Sequence, residues 1–120
     1  MVQKDIENYQ ELLDFMAKNN NVAVLYFHTY SLSYLRPCTP CKLISPHLDS
    51  LHKKYPVPVC NINLDKVDEL ATKFDVRAIP TFILVKKTSG EIELVKYVVS
   101  AHVEKLTQLF EMGADIRNKK

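Results

Sequence analysis

The run Val22-Ala23-Val24-Leu25-Tyr26-Phe27-His28 is followed, after a nine-residue connection, by Cys38-Thr39-Pro40-Cys41-Lys42-Leu43-Ile44-Ser45-Pro46. The first stretch is continuously apolar and aromatic at strand length, which suits a strand buried on both faces. The second places two cysteines three residues apart where a helix is about to begin, with a helix expected over Cys41 to about Lys54. Leu43, Ile44, Leu48 and Leu51 would form its inner face, and Pro46 would kink it by removing an interior backbone hydrogen bond. A C-x-x-C between a buried strand and a helix reads as a redox motif. At the helix start, the Cys38 sulfur would meet unpaired backbone N–H groups and the positive end of the helix dipole, both of which favour a thiolate. Each pKa unit of lowering is worth about 1.4 kcal/mol. Cys41, one turn later on the same side, would be the more buried resolving thiol. Pro40 has the preset φ for helix entry, and Arg36 adds positive charge two residues upstream of Cys38.

Outward from this stretch, Tyr9, Leu12, Leu13 and Met16 form an apolar helical stripe closed by Asn19-Asn20-Asn21. Val57 to Leu64 reads as a second central strand. Val67, Leu70, Ala71 and Phe74 mark a short helix, and Thr81 to Val85 a dense aliphatic strand. Lys87-Thr88-Ser89-Gly90 turns that strand into Ile92 to Val98, predicting an antiparallel hairpin. Val103, Leu106, Leu109 and Phe110 mark a last helix, with Gly113 as its expected C-terminal cap and a frayed tail over 113–120. Helices and strands alternating in this way predict one α/β domain over 1–120, a central mixed sheet with helices on both faces, ending in the hairpin and a C-terminal helix.

Composition narrows the chemistry. The chain has 120 residues, 47% hydrophobic and 25% charged, with a formal charge of +2; these are ordinary globular values that give no argument for nucleic acid. It has two glycines, against about eight in an average chain of this length. The dinucleotide fingerprint, the phosphate-cradling P-loop and the nucleophile elbow all need more closely spaced glycines and are excluded. Three cysteines do not make a fully paired disulfide framework. Cys60, in a predicted strand, reads as an inert core thiol. His47 and His52 fall on different faces of their helix, which argues against zinc, and His28 is expected to pack at the strand end. With no apolar stretch near the start, a reducing, cytoplasmic setting is expected, with neither membrane nor nucleic acid as partner and a monomeric state.

Together these segments resemble the thioredoxin family over nearly the whole length. The resemblance is carried by Phe27 near the end of the central strand, Cys38 to Pro46, Asn61-Ile62-Asn63-Leu64-Asp65, and Phe74-Asp75-Val76-Arg77-Ala78-Ile79-Pro80-Thr81. It implies a protein disulfide reductase of the thioredoxin fold. Cys38 would attack a client disulfide, and Cys41 would resolve the mixed disulfide to leave a Cys38–Cys41 disulfide. No cofactor would be bound, and an NADPH-dependent thioredoxin reductase would restore the dithiol. Pro80, in the cis form before Thr81, would lie against the sulfurs and, with Ile79, leave a backbone edge for client peptides.

The sequence also departs from that family. There is no tryptophan; Pro37 stands where the family has one before the motif, and Thr39 replaces its glycine. Ten residues separate Phe27 from Cys38, where the family usually has four. The insertion, Tyr30 to Arg36, is either a tolerated surface loop or a shaper of client choice through Tyr34, Leu35 and Arg36. Tyr26 occupies the position of the buried aspartate that helps move the resolving thiol's proton, and Asn61 that of its lysine partner. A tyrosine hydroxyl is a poor base near neutral pH, so slower turnover than an ordinary thioredoxin is expected. The alternatives are a client-binding module with weak redox activity, and a dithiol oxidant or isomerase, since Thr39-Pro40 is not the standard pair between the cysteines.

Overall fold

The structure is a computed structural model that describes residues 3–28, 39–64, 69–99 and 102–118, with the side chains of 3, 39–43 and 45 outside the description. Along the chain run β1 (Gln3–Asp5), α1 (Tyr9–Ala17), β2 (Val22–His28), α2 (Thr39–Lys54), β3 (Val59–Asn63), α3 (Glu69–Lys73), β4 (Thr81–Thr88), β5 (Glu91–Val99) and α4 (Val103–Asn118). The strands form one five-stranded sheet in the order β1-β3-β2-β4-β5. β1 and β2 both pair parallel with β3, whereas β4 is antiparallel to β2 and to β5. No described helix is long and apolar enough to cross a membrane.

β2 is central and buried at all seven positions, the physical reason for its unbroken apolar run. Its alternate residues supply two separate cores. Val22, Val24 and Tyr26 pack with Ile44, Leu48 and Leu51 of α2, Phe82 and Leu84 of β4, and Leu106, Leu109 and Phe110 of α4. Ala23, Leu25 and Phe27 pack on the other side with Leu12, Phe15 and Met16 of α1, Leu70 of α3, and Cys60, Ile62, Ile83 and Val85 of the sheet. Burying each large apolar side chain contributes about 1.5–3 kcal/mol, so both faces of the sheet stabilise the fold.

Local chemistry sets the element ends. Asn8 caps α1: its Oδ1 accepts from the Glu11 N–H at 2.9 Å and its Nδ2 donates to Glu11 Oε1 at 3.3 Å, a reciprocal box that satisfies an otherwise orphaned donor. Asn20 and Asn21, with φ of 61° and 59°, turn the chain from α1 into β2, and asparagine tolerates that region better than most residues. Ser89 and Gly90, at φ 53° and 87°, make the tight turn of the β4–β5 hairpin, which needs positive φ at both central positions.

Two differences from the sequence reading stand out. β1 was not expected, because Gln3-Lys4-Asp5 carries no apolar pattern; it forms because the exposed edge of β3 offers backbone partners, pairing Gln3 with Val59, Lys4 with Cys60 and Asp5 with Asn61. The expected cap at Gly113 and frayed tail are corrected over 113–118, while 119–120 lie outside the described residues. α4 continues through Gly113 to Asn118, Ala114 is buried and Ile116 packs on the core, and the Arg117 guanidinium donates to the Pro56 carbonyl. Gly113 serves closeness: a Cβ there would lie 3.1 Å from both Leu84 Cδ1 and Val57 Cγ1. The glycine brings α4 against β4 and the segment entering β3.

Candidate active site

β2 and β3 are parallel and α2 connects them, so α2 must run back against the strand direction. Its first turn therefore sits at the C-terminal end of β2. Thr39 and Pro40 open this helix and Cys41 lies in its first turn, placing half of the C-x-x-C motif at the helix N-terminus. Cys38 lies outside the described residues, as do Tyr34, Leu35 and Arg36. Positions 41, 44, 48 and 51 fall along one stripe of α2 by helical spacing, and Ile44, Leu48 and Leu51 of that stripe are buried against the Tyr26 side of the sheet. Pro46 is inside the helix, and the Ser50 hydroxyl donates to its carbonyl at 3.1 Å.

The strand ends beside this helix terminus carry the other expected features. The Ile79–Pro80 peptide bond is cis, as the resemblance implies, with Pro80 buried and Ile79 half-buried. Phe27 pairs with Thr81 in the β2–β4 register, so His28 and Pro80 follow one step beyond at the same end of the sheet. The Thr81 hydroxyl donates to the Ala78 carbonyl at 2.6 Å, closing the loop that presents the cis bond. The Tyr97 hydroxyl ties the same loop to β5 by donating to the Asp75 carbonyl at 3.2 Å.

Tyr26 is 3% exposed and stacks on Phe82, with ring centroids 4.8 Å apart and planes 2° from parallel. Its register partner on β3 is Asn61. The two residues expected in place of the buried aspartate and lysine thus stand side by side. Losing both charges together is physically consistent, since a buried charge without its partner is costly. His28 is 1% exposed and packs on Tyr26, centroids 4.6 Å apart, forming a buried aromatic pair on the α2 side of the strand. The signal for this pair was present in the sequence as matching strand parity, two residues apart.

Other singled-out residues lie elsewhere. Cys60 is fully buried on the opposite face among α1 and α3 side chains; burial pushes its thiol far above the ordinary range, with only a small opposing pull from Lys4. His47 is exposed, whereas His52 Nδ1 lies 3.2 Å from the Val57 carbonyl oxygen. Partial burial holds the His52 imidazole below its usual pKa, with the Val57 contact opposing. His102 is exposed and caps α4: its Nδ1 accepts from the Lys105 N–H at 3.2 Å.

Comparison with known proteins agrees with this arrangement. The Thioredoxin family model matches residues 2–111. The chain is 32% identical to Thioredoxin H5 of Oryza sativa subsp. japonica over 108 residues, covering 89% of this chain and 73% of the rice protein. It is 30% identical to Thioredoxin-2 of Pyricularia oryzae over 110 residues, 91% of this chain and 58% of that protein. Among solved structures, reduced Schistosoma mansoni thioredoxin pre-protein superposes with a TM-score of 0.76 at 27% identity, covering 94% of this chain and 99% of that one. Fasciola hepatica thioredoxin does so with a TM-score of 0.76 at 25% identity, covering 92% and 98%. A mixed sheet with a C-x-x-C helix at its strand ends defines the class: a thioredoxin-fold protein suited to thiol–disulfide chemistry. The chain belongs to the thioredoxin family.

Proposed function

We propose that this protein reduces disulfides in client proteins through Cys38 and Cys41. Cys38 attacks a client disulfide, the mixed disulfide forms, and Cys41 displaces the client thiolate while the Cys38–Cys41 disulfide closes. The observation that carries the reading is the family match across residues 2–111, which includes a C-x-x-C at the head of α2 and a cis Ile79–Pro80 bond at the neighbouring strand end. No prosthetic group takes part. Electrons reach the dithiol from an NADPH-dependent thioredoxin reductase, and the chain works as a monomer in a reducing, cytoplasmic setting. Clients lie in extended form along the backbone at Ile79 and Pro80, with the inserted Tyr34, Leu35 and Arg36 adding selectivity beside Cys38.

Turnover is slower than in a thioredoxin with a buried carboxylate under its motif. The Tyr26 hydroxyl stands in that position, and a phenol is a poor proton acceptor near neutrality. The test is insulin reduction by the wild type and by Cys38→Ser, recycled with a thioredoxin reductase. Wild-type activity that vanishes in Cys38→Ser supports the reading. Activity surviving the substitution removes Cys38 as nucleophile, and an inactive wild type leaves a client-binding module. A reduction potential measured against glutathione then separates a reductant from an oxidant or isomerase.

A further inference from the structure

We propose that two copies of this chain pair reversibly and antiparallel through the open edge of β5. The strand order leaves β1 and β5 at the two edges of the sheet. β1 has three residues, whereas β5 has nine. β5 also carries three of the five large apolar side chains that are exposed among the described residues, namely Leu94, Tyr97 and Val99. A long strand edge of this kind is a template for another strand, because it presents a row of outward N–H and C=O groups.

The register with β4 sorts the β5 side chains by face. Tyr97 pairs with Ile83 and Leu94 with Val85, both of the α1–α3 core, so Tyr97 and Leu94 stand on that side. Ile92 and Val99 join them by alternation. Glu93 and Lys96 stand on the other side, opposite Lys86 and Leu84. They share a face because Val95 is a bulge between them: Leu84 takes Lys96 and Val85 takes Leu94. A bulge ordinarily guards an edge, but this one makes the edge self-complementary. With a two-fold axis at Val95, perpendicular to the sheet, Glu93 of each copy lies opposite Lys96 of the other, and Ile92 lies opposite Tyr97. Opposite charges directly across a strand pair attract, and the symmetry makes each contact twice. Glu93 holds Lys86 at 3.8 Å within its own copy, yet its side chain is 57% exposed and open to a second cation.

The same register supplies an occupant for a groove on the α1–α3 side. Its volume is about 590 Å³, and Phe74, Gly90, Ile92 and Leu94 are part of its lining. Pairing sets Tyr97 of the second copy opposite Ile92 and its Val99 beside Gly90, where an added Cβ would meet nothing within 4 Å. The exposed apolar side chains of one copy thus cover the apolar lining of the other. The Tyr97 ring is already steadied for this by the bond from its hydroxyl to the Asp75 carbonyl. The pairing is independent of the thiol chemistry. Val99 also pairs with Thr81, next to Pro80, so the hairpin turn of the second copy borders the proposed client edge. The monomer therefore remains the form that meets clients.

The experiment is sedimentation of the full chain under reducing conditions, from about 1 μM to about 1 mM, in wild type, Glu93→Lys and Lys96→Glu. Circular dichroism checks that each variant folds. The wild type is expected to pass from monomer to dimer along the series. Each single variant sets like charges across the axis twice and should weaken dimerisation at least about tenfold. Mixed in equal parts, the two variants oppose lysine to glutamate at every such contact, so a heterodimer should form about as tightly as the wild-type dimer. Loss of a merely structural role would not be rescued by mixing. Should one single variant not fold, the double variant Glu93→Lys/Lys96→Glu carries the test, because it restores complementarity within one chain and should dimerise like wild type. A wild type that stays monomeric throughout, single variants that dimerise as wild type does, or a mixture or double variant without rescue overturns the proposal. Insulin reduction reports the reductase reading separately, so either conclusion can fail without the other.

Discussion

The two faces of β2 are equally dry and chemically opposite. Ala23, Leu25 and Phe27 look toward α1 and α3, where the titratable group in their cluster is the Cys60 thiol, kept neutral by burial. Val22, Val24 and Tyr26 pack with side chains of α2 and α4, and His28 continues that row by strand alternation, its ring tilted by 35° against Tyr26 at the end of β2. One face is a foundation; the other is a foundation that ends in chemistry. The difference teaches that burial alone does not make a cysteine reactive. Cys60 is deep in the core and inert, whereas the motif opens α2, where unpaired N–H groups favour a thiolate.

The largest test of this contrast is Phe27→Ala, which empties a fully buried site on the α1–α3 side. A loss of about 3–5 kcal/mol is expected in denaturant unfolding, with the pH dependence of disulfide exchange unchanged in whatever fraction stays folded. A shift in that dependence would break the division of labour between the faces. Next, Gly113→Val overfills the contact of α4 with Val57 and Leu84 on the opposite face and is expected to cost about 2 kcal/mol. A neutral result would mean that α4 can retreat from the sheet.

Cys60 gives a pH test with a definite sign. Its folded pKa lies above the unfolded value, so the folded chain keeps a proton that the unfolded chain releases. The stabilisation is complete below the unfolded thiol pKa of about 8.5 and is lost at up to about 1.4 kcal/mol per pH unit above it. Thermal melts from pH 7 to 10 should therefore fall more steeply for wild type than for Cys60→Ala, and parallel slopes would count against an inert buried thiol. The smallest effect is expected at His102, which is exposed and directly precedes α4. His102→Ala removes the cap on Lys105 and should cost about 1 kcal/mol without changing exchange rates, a control for the two larger substitutions.

Sequence periodicity was enough for the parts of the fold that repeat. The unbroken apolar run of β2, the stripes on α1 and α4, and the turn ahead of β5 all follow from rules that act within a few residues. The C-x-x-C and Ile79-Pro80 were readable for the same reason: their chemistry needs particular residue types at particular spacings. What needed the folded chain was everything settled by a distant neighbour. Gln3-Lys4-Asp5 becomes a strand only because β3 has an open edge. Gly113 reads as a helix end until Leu84 and Val57 show that it marks a close approach. The pairing of Tyr26 with Asn61 across β2 and β3 belongs to the same class. Residue types and their spacing along the chain announce the reactive motif, because backbone geometry carries it. The surroundings at the end of β2 are assembled from strands and helices far apart in sequence, because packing and burial are properties of three dimensions.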